Sequence, residues 1–366
     1  MYNLIERILR TQQALHNTDI DLLLIVGREN LIYFSGITQM ECMAIIIPKE
    51  GEANVITLWL DVDYVEQQSG LKTFGYVFPK ENLATKVIEQ IKNYGINKPV
   101  IGFEKYFVDI SIYEALRSSF PTGRFVSAAE MLYKIRSIKD QQEVFNIRKA
   151  AKAACSGVDA AIKAIRTGVS ELDILAEAEY AMLKDGSNGS PFRPQIVSGE
   201  RTLLTHPSSS RKKINNGEIV VVHLGATYEG YCAKICRTVA IGDIPQEQEK
   251  IYYILKEAQE KSINSLAPGI TAGEVDGAAR RVIELAGYQQ HFIDIIGYGV
   301  GLRQSEFYPT IGKGRNDTID VNMVVDLLLP TIFLKGVGGP RITDIIHVGE
   351  EQNEILTDYP RQLVRL

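Results

Sequence analysis

The sequence predicts two domains of different class: an α/β domain over residues 1–131 and an α+β domain over 132–366. Three observations carry this. A chain of 366 residues is longer than the ~100–200 typical of one domain. The first third alternates short aliphatic and β-branched runs with amphipathic helical stretches, the pattern of a small mixed sheet with helices. Near residue 132 the order changes. Long helical stretches then flank hairpin-like segments, as when helices pack on an antiparallel sheet.

In chain order, MYNLIERILRTQQALHN reads as an amphipathic helix. DIDLLLIVG has the pattern of a buried strand, and NLIYFSGI, MAIIIP, ANVITLWL and KPVIGFE are read as further strands. ENLATKVIEQIKNYG is helical, with Gly95 as its stop. A long helix starts at Asp140, with Ile147, Ala151 and Ala154 recurring at helical spacing, and Gly168 ends it. SELDILAEAEYAMLKDG, QEQEKIYYILKEAQEKSINSL and AGEVDGAARRVIELAG follow as helices, separated by hairpin-like segments around 219–240 and 321–348.

Composition narrows the partners. Hydrophobic content of 45% and charged content of 23% are ordinary for a globular protein. The net charge of −5 and the lack of a long basic run argue against nucleic acid, and SRKK at 210–213 reads as a solvated turn. No run of 18 apolar residues is present, since MVVDLLLPTIFL is interrupted by Asp326 and Pro330. The N-terminal helix lacks the apolar core of a signal peptide. Four cysteines do not make a disulfide scaffold in so long a chain. The expectation is a cytoplasmic protein with no membrane and no nucleic-acid partner. Cys232 and Cys236 share a strand face, but four residues at about 3.3 Å each separate them by roughly 13 Å. That is too far for one zinc, so both are read as buried thiols.

The segment HLGATYEGYCAKICRT, His223 to Thr238, reads as a hairpin. With Tyr228 and Glu229 as its turn, His223 and Lys234 would face each other, two basic groups with Cβ atoms about 4.5–5.5 Å apart.

Four segments in this order resemble the creatinase/aminopeptidase P/prolidase family. IRSIKDQQEVFNIRKAA is similar to its entry helix, IVSGERTLLTHPSSSRKKINNGEIVVVHLGATYEGYCAKICRT to its first site segment, and GYGVGLRQSEFYP and GGPRITDIIHV to the later two. The resemblance implies a creatinase-like N-terminal α/β domain and an α+β catalytic-type domain with the "pita-bread" fold. It also implies a homodimer in which Met40, Glu41 and Cys42 lie in a loop reaching the partner's site.

The peptidases of this family hold two metal ions with two Asp, one His and two Glu. At the matching positions this chain has His223, Lys234, Tyr298, a residue near Leu328, and Thr343. The resemblance therefore implies a member without the metal ligands and without a cofactor. Lys234 has no acceptor when charged, and Tyr298 and Thr343 are poor partners for a dication. Asp326, His223 and Asp344 are the residual alternatives as ligands. With the carboxylates gone, the pocket is expected to be electropositive and to take a small anionic ligand, with Lys234, Arg193 and Arg341 as substrate-binding residues and Arg237 nearby.

Creatinase, a metal-free relative, is assigned an acid/base His in the segment before the hairpin, which falls on His206 here. His206, His223, Tyr298 and Glu306 are accordingly the candidate catalytic residues. The hairpin Glu that binds the guanidinium in creatinase is replaced by Cys236, so creatine is not the expected substrate. Ser305 stands where the peptidases have a His, and a serine nucleophile would need an adjacent base, which the sequence does not supply. Three readings stay open: a metal-independent hydrolase acting on a C–N bond of an amino-acid-like anion, favoured because three of the five positions carry titratable groups; a non-catalytic ligand- or peptide-binding protein; and an Xaa-Pro peptidase, disfavoured by the missing ligands.

Overall fold

A computed structural model describes the backbone of residues 4–39, 43–104, 109–329 and 332–366, and the side chains of these residues except 328 and 329. The chain forms two compact units, 1–136 and 137–366, which divide at the last residue of α6 below. Met40, Glu41 and Cys42 lie outside the described residues.

The first unit contains α1 (Leu4–His16), β1 (Leu22–Ile25), α2 (Arg28–Ser35), β2 (Ala44–Pro48), β3 (Asn54–Leu58), α3 (Val62–Ser69), β4 (Lys72–Tyr76), α4 (Leu83–Asn93), β5 (Val100–Phe103), α5 (Ile110–Ser119), β6 (Arg124–Ser127) and α6 (Ala129–Ser137). Its mixed six-stranded sheet has the order β4-β3-β2-β1-β5-β6. Strands β1, β2 and β3 pair antiparallel and the outer strands parallel. The β2 run AIIIP is buried at every position, which suits a strand covered on both faces. One expected strand is corrected. NLIYFS forms α2, flanked by Gly27 as N-cap and by Gly36 at φ 72°, which closes the helix with an N–H bond to Ile32 O. Asn30 through Ser35 are all buried. A helix buried on every side shows no amphipathic period, so its apolar, aromatic run is locally indistinguishable from a strand.

The second unit contains α7 (Gln141–Ala164), α8 (Glu171–Lys184), β7 (Gln195–Ser198), β8 (Ile219–Tyr228), β9 (Tyr231–Ala240), α9 (Gln246–Ser265), α10 (Ala272–Leu285), β10 (Ile295–Gly299), β11 (Glu306–Gly312), β12 (Val324–Leu329), β13 (Ile342–His347), β14 (Glu354–Ile355) and β15 (Val364–Arg365). Asp140 caps α7 in a reciprocal capping box with Glu143, and Ser170 and Thr271 do the same for α8 and α10. The strands form one sheet, ordered β11-β10-β12-β13-β9-β8-β7, with β14 beside β13 and β15 beside β9.

All four helices pack on one face of this sheet. Val222, Leu224 and Ile235 meet Ala154, Val158 and Ile174, while Val325, Leu327, Ile342 and Ile346 meet Leu255, Ala258 and Val275. Strand alternation turns the next residue of each strand to the other face. That face carries His223, Gly225, Lys234, Cys236, Arg341, Thr343 and Asp326, and its apolar content is small: Val197, Val221 and Cys236 form a separate cluster. Among the described residues no helix is long and apolar enough to cross a membrane.

Candidate functional site

The hairpin register differs from the expected one. Its turn is Glu229–Gly230, at φ 48° and 78°, and Tyr228 pairs with Tyr231. Two successive positive φ values are the two-residue turn that matches strand twist, and Gly at the second position makes it cheap. The shift moves every partner by two. His223 lies opposite Cys236, and Lys234 opposite Gly225. His223 and Lys234 are therefore diagonal neighbours on one face rather than a direct pair. Gly225 matters here because Phe192 fills the space a Cβ would need, and its ring lies 4.9 Å from that of His223.

A row runs across five strands: Gln195, His223, Cys236, Thr343 and Leu328, each the register partner of the next. Three of the five positions named from the resemblance thus align by strand pairing alone. Thr343 is fully buried and its hydroxyl has no hydrogen-bond partner. Nε2 of His223 is also buried and unpartnered, and the imidazole is pushed down to about 3 by burial first, then by the Lys234 and Arg341 charges. The ring is neutral across the physiological range. Cys236 is buried and its thiol is pushed up to about 12 by burial, so it is no thiolate nucleophile.

Lys234, 3% exposed, forms an ion pair with Asp326, which is fully buried. Its Nζ also donates to Ser305 Oγ at 3.2 Å. The other Asp326 oxygen accepts the Tyr298 backbone N–H at 2.7 Å. Burial raises the Asp326 carboxyl, and Lys234 and the Tyr298 amide pull the other way. The Tyr298 phenol is raised by burial and by Asp326, against Arg315. The expectation of an uncompensated Lys234 is corrected: Asp326 neutralises it.

The arginines separate. Arg237 lies on the helix face by strand alternation, not beside Lys234. It is fully buried against Asp344 at 2.7 Å and donates to the carbonyls of Pro360, Cys236, Thr343 and Tyr359. Arg341 does share the face of His223. It is buried with no acidic partner among the described residues, bonds Gln195 Oε1 and the Thr202 and Leu204 carbonyls, and keeps Nε unpartnered. Burial lowers its pKa. Arg193 is exposed and donates to Ser208 Oγ at 3.1 Å. Both arginines expected to contact substrate thereby tether the 202–208 segment, which carries His206.

His206 is exposed, and no described hydrogen bond orients its ring. Glu306 is buried at the start of β11 and accepts from Arg303 N at 3.3 Å. A Cβ at Gly301 would lie 3.0 Å from Glu306 Oε1 and 3.6 Å from Lys139 Nζ, so this carboxylate sits beside a buried ammonium. The structure thus brings together His223, Lys234 and Tyr298, with Arg341 on the same sheet face and bonded to Gln195 at the end of the row. Asp326 and Ser305, which sequence reasoning set aside, join them. The signal that could have found Asp326 is its parity: it lies on the same strand face as the expected Leu328 position.

Among the described residues, no three His, Cys, Asp or Glu side chains converge as a metal site. Comparison with known proteins places this geometry in a family. Residues 7–138 match the Creatinase/Prolidase N-terminal domain and residues 146–350 match Metallopeptidase family M24. The chain is 31% identical to an Xaa-Pro dipeptidase of Pyrococcus horikoshii, over 98% of this chain and 99% of that one. It superposes on the structure of an Xaa-Pro dipeptidase from Bacillus anthracis with a TM-score of 0.92 at 31% identity, covering 100% of both chains. The X-Pro aminopeptidase of Thermotoga maritima matches with a TM-score of 0.85 at 29% identity, over 98% of this chain and 99% of that chain. With an N-terminal domain of the creatinase/prolidase type and the pita-bread sheet described above, the chain belongs to metallopeptidase family M24.

Proposed function

We propose that this family member is a metal-independent hydrolase that cleaves a C–N bond in a small anionic, amino-acid-like compound other than creatine. The observation that carries the reading is the buried Lys234–Asp326 pair on the sheet face that bears the site. An ammonium repels a dication and has no lone pair to offer it while protonated, and its partner carboxylate is already engaged. The remaining residues at the matching positions, His223, Tyr298 and Thr343, supply no carboxylate. The residues present therefore do not fit a dinuclear divalent centre.

The anionic preference rests on Arg341 rather than on Lys234. Asp326 offsets Lys234, whereas Arg341 is a buried cation without a counter-ion among the described residues. Buried unpaired charge is costly, and a carboxylate or phosphate bound along this row would relieve it. Arg341 Nε, the Thr343 hydroxyl and His223 Nε2 are buried without partners on the same face, as expected where a polar ligand completes the hydrogen bonding. His206, exposed on the 202–208 segment, is a proton-transfer candidate by resemblance to creatinase alone, and Tyr298 and Glu306 are further candidates.

Relatives named as Xaa-Pro dipeptidases make Xaa-Pro dipeptides the rival substrate class. One experiment separates the readings. The chain is stripped with chelator, its metal content measured, and Xaa-Pro dipeptides and N-acyl amino acids are screened with and without manganese or zinc. Turnover of an N-acyl amino acid in chelator supports the proposal. Metal-stimulated Xaa-Pro cleavage, or one tightly held ion per chain, overturns it. Thermal stabilisation by carboxylates with no turnover of any compound supports the binding-protein reading instead.

A further inference from the structure

We propose that Ser305 is the nucleophile of this site, that Lys234 is its base, and that Asp326 is the positioning residue that holds the lysine. The inference rests on the metal-independent reading and names the groups that replace the metals. A serine hydroxyl is a weak nucleophile unless a base lies within hydrogen-bond reach and a third group orients that base. The structure meets each condition. Lys234 Nζ is 3.2 Å from Ser305 Oγ. Asp326 pairs with the same Nζ, and its second oxygen accepts the Tyr298 backbone N–H at 2.7 Å. Lys234 and Asp326 are buried, but Ser305, in the loop just before β11, is partly accessible, so a ligand can reach it. Serine–lysine pairs recur on unrelated folds, since they are recognised by geometry and not by sequence position.

The step balances as follows. In the resting ion pair Lys234 is the ammonium held by Asp326, and it acts as base once it has released one proton to solvent and stands as the amine. The amine takes the Ser305 hydroxyl proton while Oγ forms a bond to the carbonyl carbon of the substrate. The C–N bond breaks, and the Lys234 ammonium returns that proton to the leaving nitrogen. Water then adds to the acyl-serine, again giving a proton to Lys234. The C–Oγ bond breaks, the acid departs, and Ser305 regains its proton. The net reaction consumes one water and yields an acid and an amine, with no oxidant and no metal.

The test uses the full chain in chelator and needs no knowledge of the substrate. Wild type is treated with phenylmethanesulfonyl fluoride and, separately, with an alkyl fluorophosphonate, and adducts are mapped by mass spectrometry. The expected result is one adduct on Ser305, absent in Ser305→Ala. Lys234→Met should slow labelling by about 10²–10⁴-fold, the usual scale for a lost general base. Should Lys234→Met fail to fold, the pair deletion Lys234→Met with Asp326→Leu serves in its place, because it leaves no unpaired buried charge. Asp326→Asn removes the anion that retains the lysine's proton, so the acid limb of the labelling rate should move to lower pH, which a purely structural role would not do. No adduct at Ser305 with either reagent, or labelling of the lysine variants at the wild-type rate, overturns the proposal. Turnover in chelator that survives Ser305→Ala but falls in His206→Ala also overturns it while leaving the metal-independent function standing. Lys234-dependent labelling without turnover of any substrate sustains this proposal and defeats that function.

Discussion

Two buried ion pairs sit three residues apart on β9, on opposite faces of one sheet, and they are built differently. On the helix face Arg237 meets Asp344, with four backbone carbonyls around the guanidinium and Thr357 on the carboxylate. On the other face Lys234 meets Asp326, with one serine hydroxyl and one amide completing the pair among the described residues. A guanidinium with all its donors engaged cannot act on anything else, whereas a lysine with one accessible hydroxyl partner can. Arginine also stays charged, while buried lysine exchanges its proton readily. The first pair is a structural clamp, and the second has the sparse partner set of a reactive group.

The largest effect that would break this contrast is on stability. Arg237→Met leaves Asp344 buried without its cation and should cost about 3–5 kcal/mol in denaturant unfolding. Lys234→Met should cost less, about 1–3 kcal/mol, because Asp326, already raised by burial, takes up a proton and keeps its amide bond. The pair deletion Lys234→Met with Asp326→Leu should recover most of that loss. If the two single variants are equally damaging, the clamp-versus-reactive distinction fails.

Strand alternation puts the two pairs on opposite faces, and the hairpin turn sets which β8 residue lies opposite each. Gly230→Ala forces a Cβ into φ 78° and should cost about 1–2 kcal/mol without altering which residues face each other. A variant that lost labelling at Ser305 while remaining folded would show that the register is less secure than its ten paired positions suggest.

The smallest effect at neutral pH is an acid dependence confined to the site face. His223 is held at about 3 in the folded chain, against an ordinary value near 6.5. As pH falls below 6.5 the unfolded chain takes up this proton and the folded chain does not, so stability declines between pH 6.5 and 3. Above 6.5 the group contributes nothing. His223→Gln should remove that component, seen as a difference between variant and wild-type unfolding curves that widens as pH falls. Parallel curves would show that the imidazole is not desolvated as the structure has it.

Much of the fold was legible locally. Asp140, Ser170 and Thr271 announce α7, α8 and α10 through their caps, and the period of the following residues marks the buried helix faces. Both strands of the hairpin and the residue types at His223, Lys234, Tyr298 and Thr343 are likewise properties of the chain alone. Local information stops at register and at buried helices. YEG offers two adjacent turns, and only the pairing of ten cross-strand positions selects Glu229–Gly230. NLIYFS is buried on all sides, so its period is silent, and tertiary packing decides for a helix. The meeting of Lys234 with Asp326 and Ser305 is the extreme case. It joins β9, β12 and the loop before β11, remote in sequence, and is set by strand order and by the two-residue alternation of side chains. A sequence states which groups a chain owns and which face of its own strand each takes. Which groups meet depends on non-local pairing, and only the folded sheet supplies it.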